Sequence, residues 1–245
     1  MKKLGASLPL LLVLVLWQAA AAENFSSSAL PSPIEVVLAW YSLLASGDLV
    51  SNAAFSLYRS LSGLCLAIFI GGTIGVAMAW VKPIRAMFAP LVDAFYPLPK
   101  SALIPVTAVW LGLGDASKIL LITMGCMLPV TLGAFNGAAG TEQVFIWSAR
   151  SLGASRLQTL RDVVLPHALP ELLNGIRTAL ALSFILLVSA EFISARDGLG
   201  YLIAMLGNSG AYDAMFAVVL TVAFIGFFAD RAYQQFLKRA LRWRE

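Results

Sequence analysis

Three charge-free apolar runs dictate what this chain can become. Leu4 to Ala22, Ser60 to Val81 and Ile119 to Thr141 contain no Asp, Glu, Lys or Arg. Each is about as long as the roughly 20 residues a helix needs to cross the hydrocarbon core of a bilayer. Three further runs are apolar but interrupted. Ala86 to Gly114 carries Asp93, Pro97, Pro99 and Lys100; Leu172 to Ser194 carries Arg177 and Glu191; Ala214 to Ala229 ends at Asp230. The sequence predicts an all-α polytopic membrane protein with six transmembrane helices, or five if the first is cleaved. Composition agrees: 60% of the 245 residues are hydrophobic and 12% charged, about half the charged share of a soluble domain. That balance argues against a soluble enzyme, a nucleic-acid binder or a disordered scaffold.

Basic residues set the orientation, because they collect on the cytoplasmic side. With Lys2 and Lys3 inside, alternation also places Lys82, Arg85, Arg150, Arg156, Arg161, Arg177, Arg231, Lys238, Arg239, Arg242 and Arg244 inside. Of 17 basic residues, 13 then lie inside and Arg59, Lys118 and Arg196 outside, with Lys100 left within a span. Both termini are expected in the cytoplasm of a bacterial inner membrane. The first span has a second reading. Lys2-Lys3, an apolar core and Ala19 to Ala22 before Glu23 also fit a cleavable secretory signal. The C-terminus stays cytoplasmic in both readings.

Four regions follow: 1–22 as a first span or signal-like segment, 23–59 as an external loop, 60–235 as the membrane core, and 236–245 as a basic tail. Pro31 and Pro33 interrupt any helix through the external loop. After them Ile34, Val37, Leu38, Tyr41 and Leu44 recur at helical spacing. An amphipathic helix on the membrane face and a helix packed on the spans both fit this stripe. The glycines of GGTIGVAMAW, Gly71 to Trp80, read as helix-packing positions. Cys65 and Cys126 lie in apolar runs and read as buried thiols rather than a metal site.

Enzymatic signals are missing. No G-x-x-x-x-G-K-[ST] occurs, so no P-loop is encoded. His167 is the single histidine, which rules out a histidine metal cluster. No cofactor is expected on this chain.

The informative segment runs from Trp147 to Arg177, inside a cytoplasmic loop placed at 142–170. Leu152, Leu157, Leu160, Val163 and Val164 give a helical apolar stripe, with Arg150, Arg156 and Arg161 off it. Gly153 divides the run, which predicts two short helices meeting at an angle. Pro166 and Pro170 are expected to close that element and open the next span. A docking knob and a re-entrant loop without a partner both suit the pattern.

Here the spacing resembles the signature loop of ATP-binding-cassette importer permeases: E-A-A, three residues, G, nine residues, I, one residue, L-P. This chain has Trp147-Ser148-Ala149, three residues, Gly153, nine residues, then Val163, Val164, Leu165 and Pro166. Trp147 stands where the family has Glu and Ser148 where it has Ala. LPSPIEVV (Leu30 to Val37), LPKSALIPVTAVWLGLGDASKILLI (Leu98 to Ile122), LPHALPELLNGIRTAL (Leu165 to Leu180) and AEFISARDGLGYLI (Ala190 to Ile203) extend the resemblance. They are similar to the permeases for nitrate, aliphatic sulfonates, taurine and bicarbonate.

The resemblance implies a type I importer fold and a homodimer in the lipid bilayer. It also implies two cytoplasmic ATPase subunits that hold ATP and Mg, an external substrate-binding protein, and no nucleic acid. In such permeases the loop inserts a coupling helix into the ATPase. Leu152, Gly153, Ala154, Ser155, Arg156 and Leu157 are then the expected knob, framed by Trp147, Ala149, Leu165 and Pro166. The implied cargo is a small solute, an anion in the commonest cases and an aromatic or vitamin precursor in others.

Polar groups inside spans are expensive in lipid and mark candidate pathways. Lys100 leads these, with Ser101, Thr107, Asn136 and Ser189 behind it. Lys100 also fits a pairing with Asp93. Arg59 and Glu191 are candidates for an outer gate or a binding-protein contact. Glu191 equally fits an ion pair with Arg196, or hydrogen bonds to the Gly198–Gly200 turn. A lone ion-coupled transporter would need internal repeats, with discontinuous helices facing each other at mid-membrane, and the halves show no convincing repeat. A passive channel would need a filter-like loop that is not evident.

Overall fold

The computed structural model describes residues 4–22 and 30–244, with side chains for 12–21 and 30–243. Lys2, Lys3 and Glu23, which flank the first run, lie outside the described residues. The described residues form helices and connecting turns, without a strand. In chain order these are α1 (Leu4–Ala22), α2 (Pro33–Ala45), α3 (Asp48–Trp80), α4 (Lys82–Phe95), α5 (Ile104–Leu111), α6 (Asp115–Ala139), α7 (Gln143–Ser151), α8 (Arg156–Thr159), α9 (Leu165–Ser194), α10 (Leu199–Asn208) and α11 (Tyr212–Ala240).

Among the described residues, four helices are long and apolar enough to cross a membrane: Asp48–Trp80, Asp115–Ala139, Arg156–Ser194 and Tyr212–Ala240. The first run is helical over Leu4–Ala22. The run from Ala86 to Gly114 is not one helix. It divides into α4, a 3-10 turn at Lys100–Leu103 and α5. Pro97 and Pro99 lack the N–H groups a continuous helix would require there.

The apolar stripe after Pro31 forms α2. Ser32 caps it: its hydroxyl accepts from the Glu35 N–H at 3.3 Å, and the Glu35 carboxylate accepts from the Ser32 N–H at 2.7 Å. Pro33 sits in the first turn, where its missing N–H has no helical partner to lose. The Ser32 N–H, and after it the Ser32 hydroxyl, hold the Glu35 carboxyl below its usual pKa.

The chain divides into two compact units. Of the described residues, one comprises 4–22, 30–56 and 191–225, the other 57–190 and 226–244. In the first, Val36, Leu49, Leu202 and Val218 are buried. Trp40 donates its indole N–H to Thr221 at 3.0 Å. In the second, Ala67 of α3, Ile104 of α5, Ile122 and Cys126 of α6, and Ala179 and Leu187 of α9 form the core.

Glycine lets the second unit's helices touch backbone to backbone. A Cβ on Gly71 would meet the Met127 carbonyl at 2.7 Å, and one on Gly133 the Glu171 carbonyl at 2.6 Å. Small residues drive such approaches where lipid supplies no hydrophobic contrast. The packing role read for Gly71 therefore agrees with the geometry. Cys126 is buried, its thiol donating to the Ala179 carbonyl at 3.2 Å, but Cys65 is exposed. Cys65 shares a face of α3 with Leu61 and Phe69, which are also exposed. In a membrane protein an apolar run has a lipid side as well as a packed side, so apolar sequence does not specify burial.

Candidate functional site

The segment that joins α6 to α9 is built by two opposed stop and start signals. At the end of α7, the Gly153 N–H donates to the Arg150 carbonyl at 2.9 Å and the Ala154 N–H to the Ala149 carbonyl at 3.1 Å. This is the Schellman termination, which needs a left-handed residue. Gly153 supplies it at φ +88°. Two residues later Ser155 caps α8, accepting from the Gln158 N–H at 3.3 Å while Gln158 accepts from the Ser155 N–H at 2.8 Å. The four residues Leu152 to Ser155 thus form a fixed corner between α7 and α8.

The inner side of the segment is anchored in the second unit. Ile146 and Val164 are buried with Ala138 and Ala168. Thr159 is fully buried, its hydroxyl donating to the Ser155 carbonyl at 3.0 Å. The outer side is apolar and bare. Leu152 is 89% exposed, Leu157 73% and Trp147 63%.

Pro166 and Pro170 do not break the chain between this segment and the next helix. The helix runs without interruption over Arg156–Ser194. A π turn at Leu160–Val164, closed by the Leu165 N–H on the Leu160 carbonyl, precedes Pro166. It loosens the ladder just before the ring that cannot donate to it. The corner is therefore one piece with a 39-residue helix.

The candidate pathway residues separate. Lys100 lies in the break between α4 and α5, not at a helix centre. Its ammonium donates to the carbonyls of Phe95 at 2.9 Å and Tyr96 at 2.8 Å, capping α4, and Asp93 is not its partner. Thr107 and Ser189 donate to carbonyls of their own helices, Ile104 at 3.1 Å and Ile185 at 2.8 Å. Ser101 and Asn136 are exposed.

Arg59 and Glu191 are both buried. In the second unit Arg59 Nε donates to Asp115 at 2.6 Å, at the first residue of α6. Lys118, also buried, donates to the Leu113 carbonyl and ties down the turn before α6. In the first unit Glu191 is 1% exposed. It accepts from the Ser56 hydroxyl at 2.7 Å and the Gly200 N–H at 3.0 Å. Ser56 accepts from the Leu199 N–H at 2.8 Å, and Asn52 from the Gly198 N–H at 2.7 Å. Three side chains thereby satisfy three successive N–H groups at the start of α10. Sequence reasoning missed Asn52, Ser56, Asp115 and α10 itself. The glycine pair Gly198 and Gly200 was the one local signal for that knot.

Comparison with known proteins places the chain in a family. A family model described as the binding-protein-dependent transport system inner membrane component matches residues 63–242. The taurine transport system permease protein TauC of Escherichia coli is 34% identical over 95% of this chain and 86% of its own length. The riboflavin transport system permease protein RibX of Chloroflexus aurantiacus is 33% identical over 91% of this chain and 83% of its own. In fold, the chain is similar to a solved structure of the inward-facing MetNI methionine ABC transporter. The TM-score is 0.68 at 21% identity, over 80% of this chain and 97% of that one. The chain is therefore the permease component of an ABC importer, not its catalytic subunit, and belongs to the family of binding-protein-dependent transport system inner membrane components.

Proposed function

We propose that this permease imports a small anionic solute, delivered by an external binding protein and driven by ATP bound with Mg on two separate cytoplasmic ATPase subunits. The permease works as a homodimer, with both termini and the 142–170 loop in the cytoplasm. The observation that carries the reading is the capped corner at Leu152–Ser155, with Leu152 and Leu157 bare beside it. A corner fused to a long apolar helix transmits displacement instead of absorbing it. Differential contact with the ATP-bound and ATP-free motor then biases the helix between two states. Gly153 sets the bend, Leu152 and Leu157 supply apolar contact, and Ala154 and Ser155 permit close approach.

The anionic cargo is supported by the taurine relative. Ser101 and Asn136 are exposed and remain the polar groups offered to the pathway, whereas the Lys100 ammonium is taken up by the Phe95 and Tyr96 carbonyls. Two measurements test this. The ATPase subunit should co-purify with the chain and be lost with Leu152→Asp. Thermal-shift screening of the cognate binding protein should return sulfonates or other small anions. A permease that transports alone, or a binding protein that answers only to neutral aromatic solutes, contradicts the respective half.

A further inference from the structure

Two cavities in the second unit follow one another along α3 and α4. The first, of about 490 Å3, is lined by Trp80, Val81, Lys82, Pro83, Arg150 and Arg156. It brings the α3–α4 corner together with both sides of the Gly153 bend. Among the described residues, three of its six lining residues are cations and none is a carboxylate. Among the described residues the Lys82, Arg150 and Arg156 side chains make no hydrogen bond or ion pair. Arg85, on the same helix, is engaged elsewhere, 4.9 Å over the Phe135 ring.

The second cavity, of about 160 Å3, lies among Ile74 of α3, Phe88, Leu91 and Phe95 of α4, and Met127 of α6. Its lining is almost wholly apolar. Ile74 lies six residues before Trp80 and Phe88 five after Pro83, a shift of about 8–9 Å along each helix at ~1.5 Å per residue. From there α4 continues to Phe95. Met87, Leu91 and Phe95, one turn apart, are all exposed.

A cationic chamber followed by an apolar trough on the same helices has the polarity of a phospholipid. Trp80, at the end of a 33-residue apolar helix, is the residue type that favours the headgroup level. A free phosphate would use the chamber and leave the trough idle. An acidic protein segment would not need the trough either. We propose that Lys82, Arg150 and Arg156 bind the headgroup phosphate of an anionic phospholipid, with an acyl chain in the trough lined by Phe88, Leu91 and Phe95. The bound lipid ties the Gly153 bend to the α3–α4 corner, so the bilayer's anionic content bears on how firmly the corner is held. This binding does not depend on which solute is carried.

The test is lipid titration of the detergent-purified full chain by native mass spectrometry, with dioleoyl phosphatidylglycerol, dioleoyl phosphatidylcholine and glycerol 3-phosphate. Phosphatidylglycerol should bind at one per chain in preference to phosphatidylcholine, and glycerol 3-phosphate should not displace it. Each cation near a membrane surface contributes roughly fivefold, so K82Q/R150Q/R156Q should weaken binding on the order of a hundredfold. Exposed Lys82→Gln alone should weaken it about fivefold. The charge-keeping R150K/R156K should still bind, and the tail variant K238Q/R239Q/R242Q should match the unmodified chain. Equal losses in the two triple variants would reduce the effect to net charge and overturn the site. Displacement by glycerol 3-phosphate would make it a free-phosphate site. An unchanged phosphatidylglycerol affinity in the cavity triple, with loss of the ATPase instead, would assign the cations to an acidic protein surface.

Discussion

The Glu191 carboxylate accepts a 2.7 Å hydrogen bond from the Ser56 hydroxyl, across 135 residues of chain. Ser56 in turn receives the Leu199 N–H, so one hydroxyl links a buried carboxylate to the first residue of α10. Ser56→Ala leaves both without that partner. Removing one side of a buried bond costs about 1–3 kcal/mol, and thermal unfolding in detergent should register it. Ser189→Ala, where the lost bond is to a carbonyl of the same helix, should shift the transition much less.

Gly198 separates two kinds of penalty. Its φ of +106° disfavours any side chain, and a Cβ there would also run into the Glu191 carboxylate. Gly210 has φ +78° but open space around it. Gly210→Ala should cost only the left-handed backbone penalty, about 1–2 kcal/mol. Gly198→Ala should cost distinctly more, read as a larger fall in unfolding temperature under the same conditions. Equal falls would show that the carboxylate moves aside freely.

The cap of α2 should be pH-sensitive in one direction. The Glu35 carboxyl is held below its usual value by the Ser32 N–H and hydroxyl. A depressed carboxyl stabilises fully above its unfolded value, about 4.3, and loses that stabilisation as pH falls through the folded one. Amide exchange at Ser32 should therefore lose protection as pH falls below the ordinary carboxyl range. Glu35→Gln, whose amide oxygen accepts at any pH, should show no such step.

Gly153→Pro attacks the corner at two points. Proline cannot adopt φ +88° and has no N–H for the Arg150 carbonyl. The variant should insert and keep its helix content, because the long helices lie outside the change. ATP-driven uptake into vesicles should fall at least tenfold, about 1.4 kcal/mol of lost coupling, while hydrolysis by the ATPase continues.

The sequence was most informative where a local rule forces one solution. Gly153 divides the segment into two short helices, as read, because a left-handed glycine stops α7 whatever surrounds it; the Ser155–Gln158 box that starts α8 was not read. The charge-free runs specify α3 and α6 in the same way. It was least informative where partners are distant. Nothing near Ser56 announces Glu191, and nothing near Arg59 announces Asp115. Lys100 was misplaced for a related reason. Its role depends on α4 stopping at Phe95, and only then do the Phe95 and Tyr96 carbonyls come free for its ammonium. Cys65 was misread because apolar patterning does not distinguish a lipid face from a packed one. Pro166 was taken as a boundary because a π turn in front of a proline leaves no mark in composition.

The Leu152–Ser155 corner, as proposed, seats on a nucleotide-hydrolysing partner. Cysteine at position 152, introduced as Leu152→Cys in a Cys65→Ser/Cys126→Ala background, tests it by cross-linking in membranes containing the ATPase. A cross-link to the ATPase is expected, with a yield that changes between ATP-bound and nucleotide-free conditions. A residue 152 that reacts with lipid-phase reagents and never with the ATPase would contradict it.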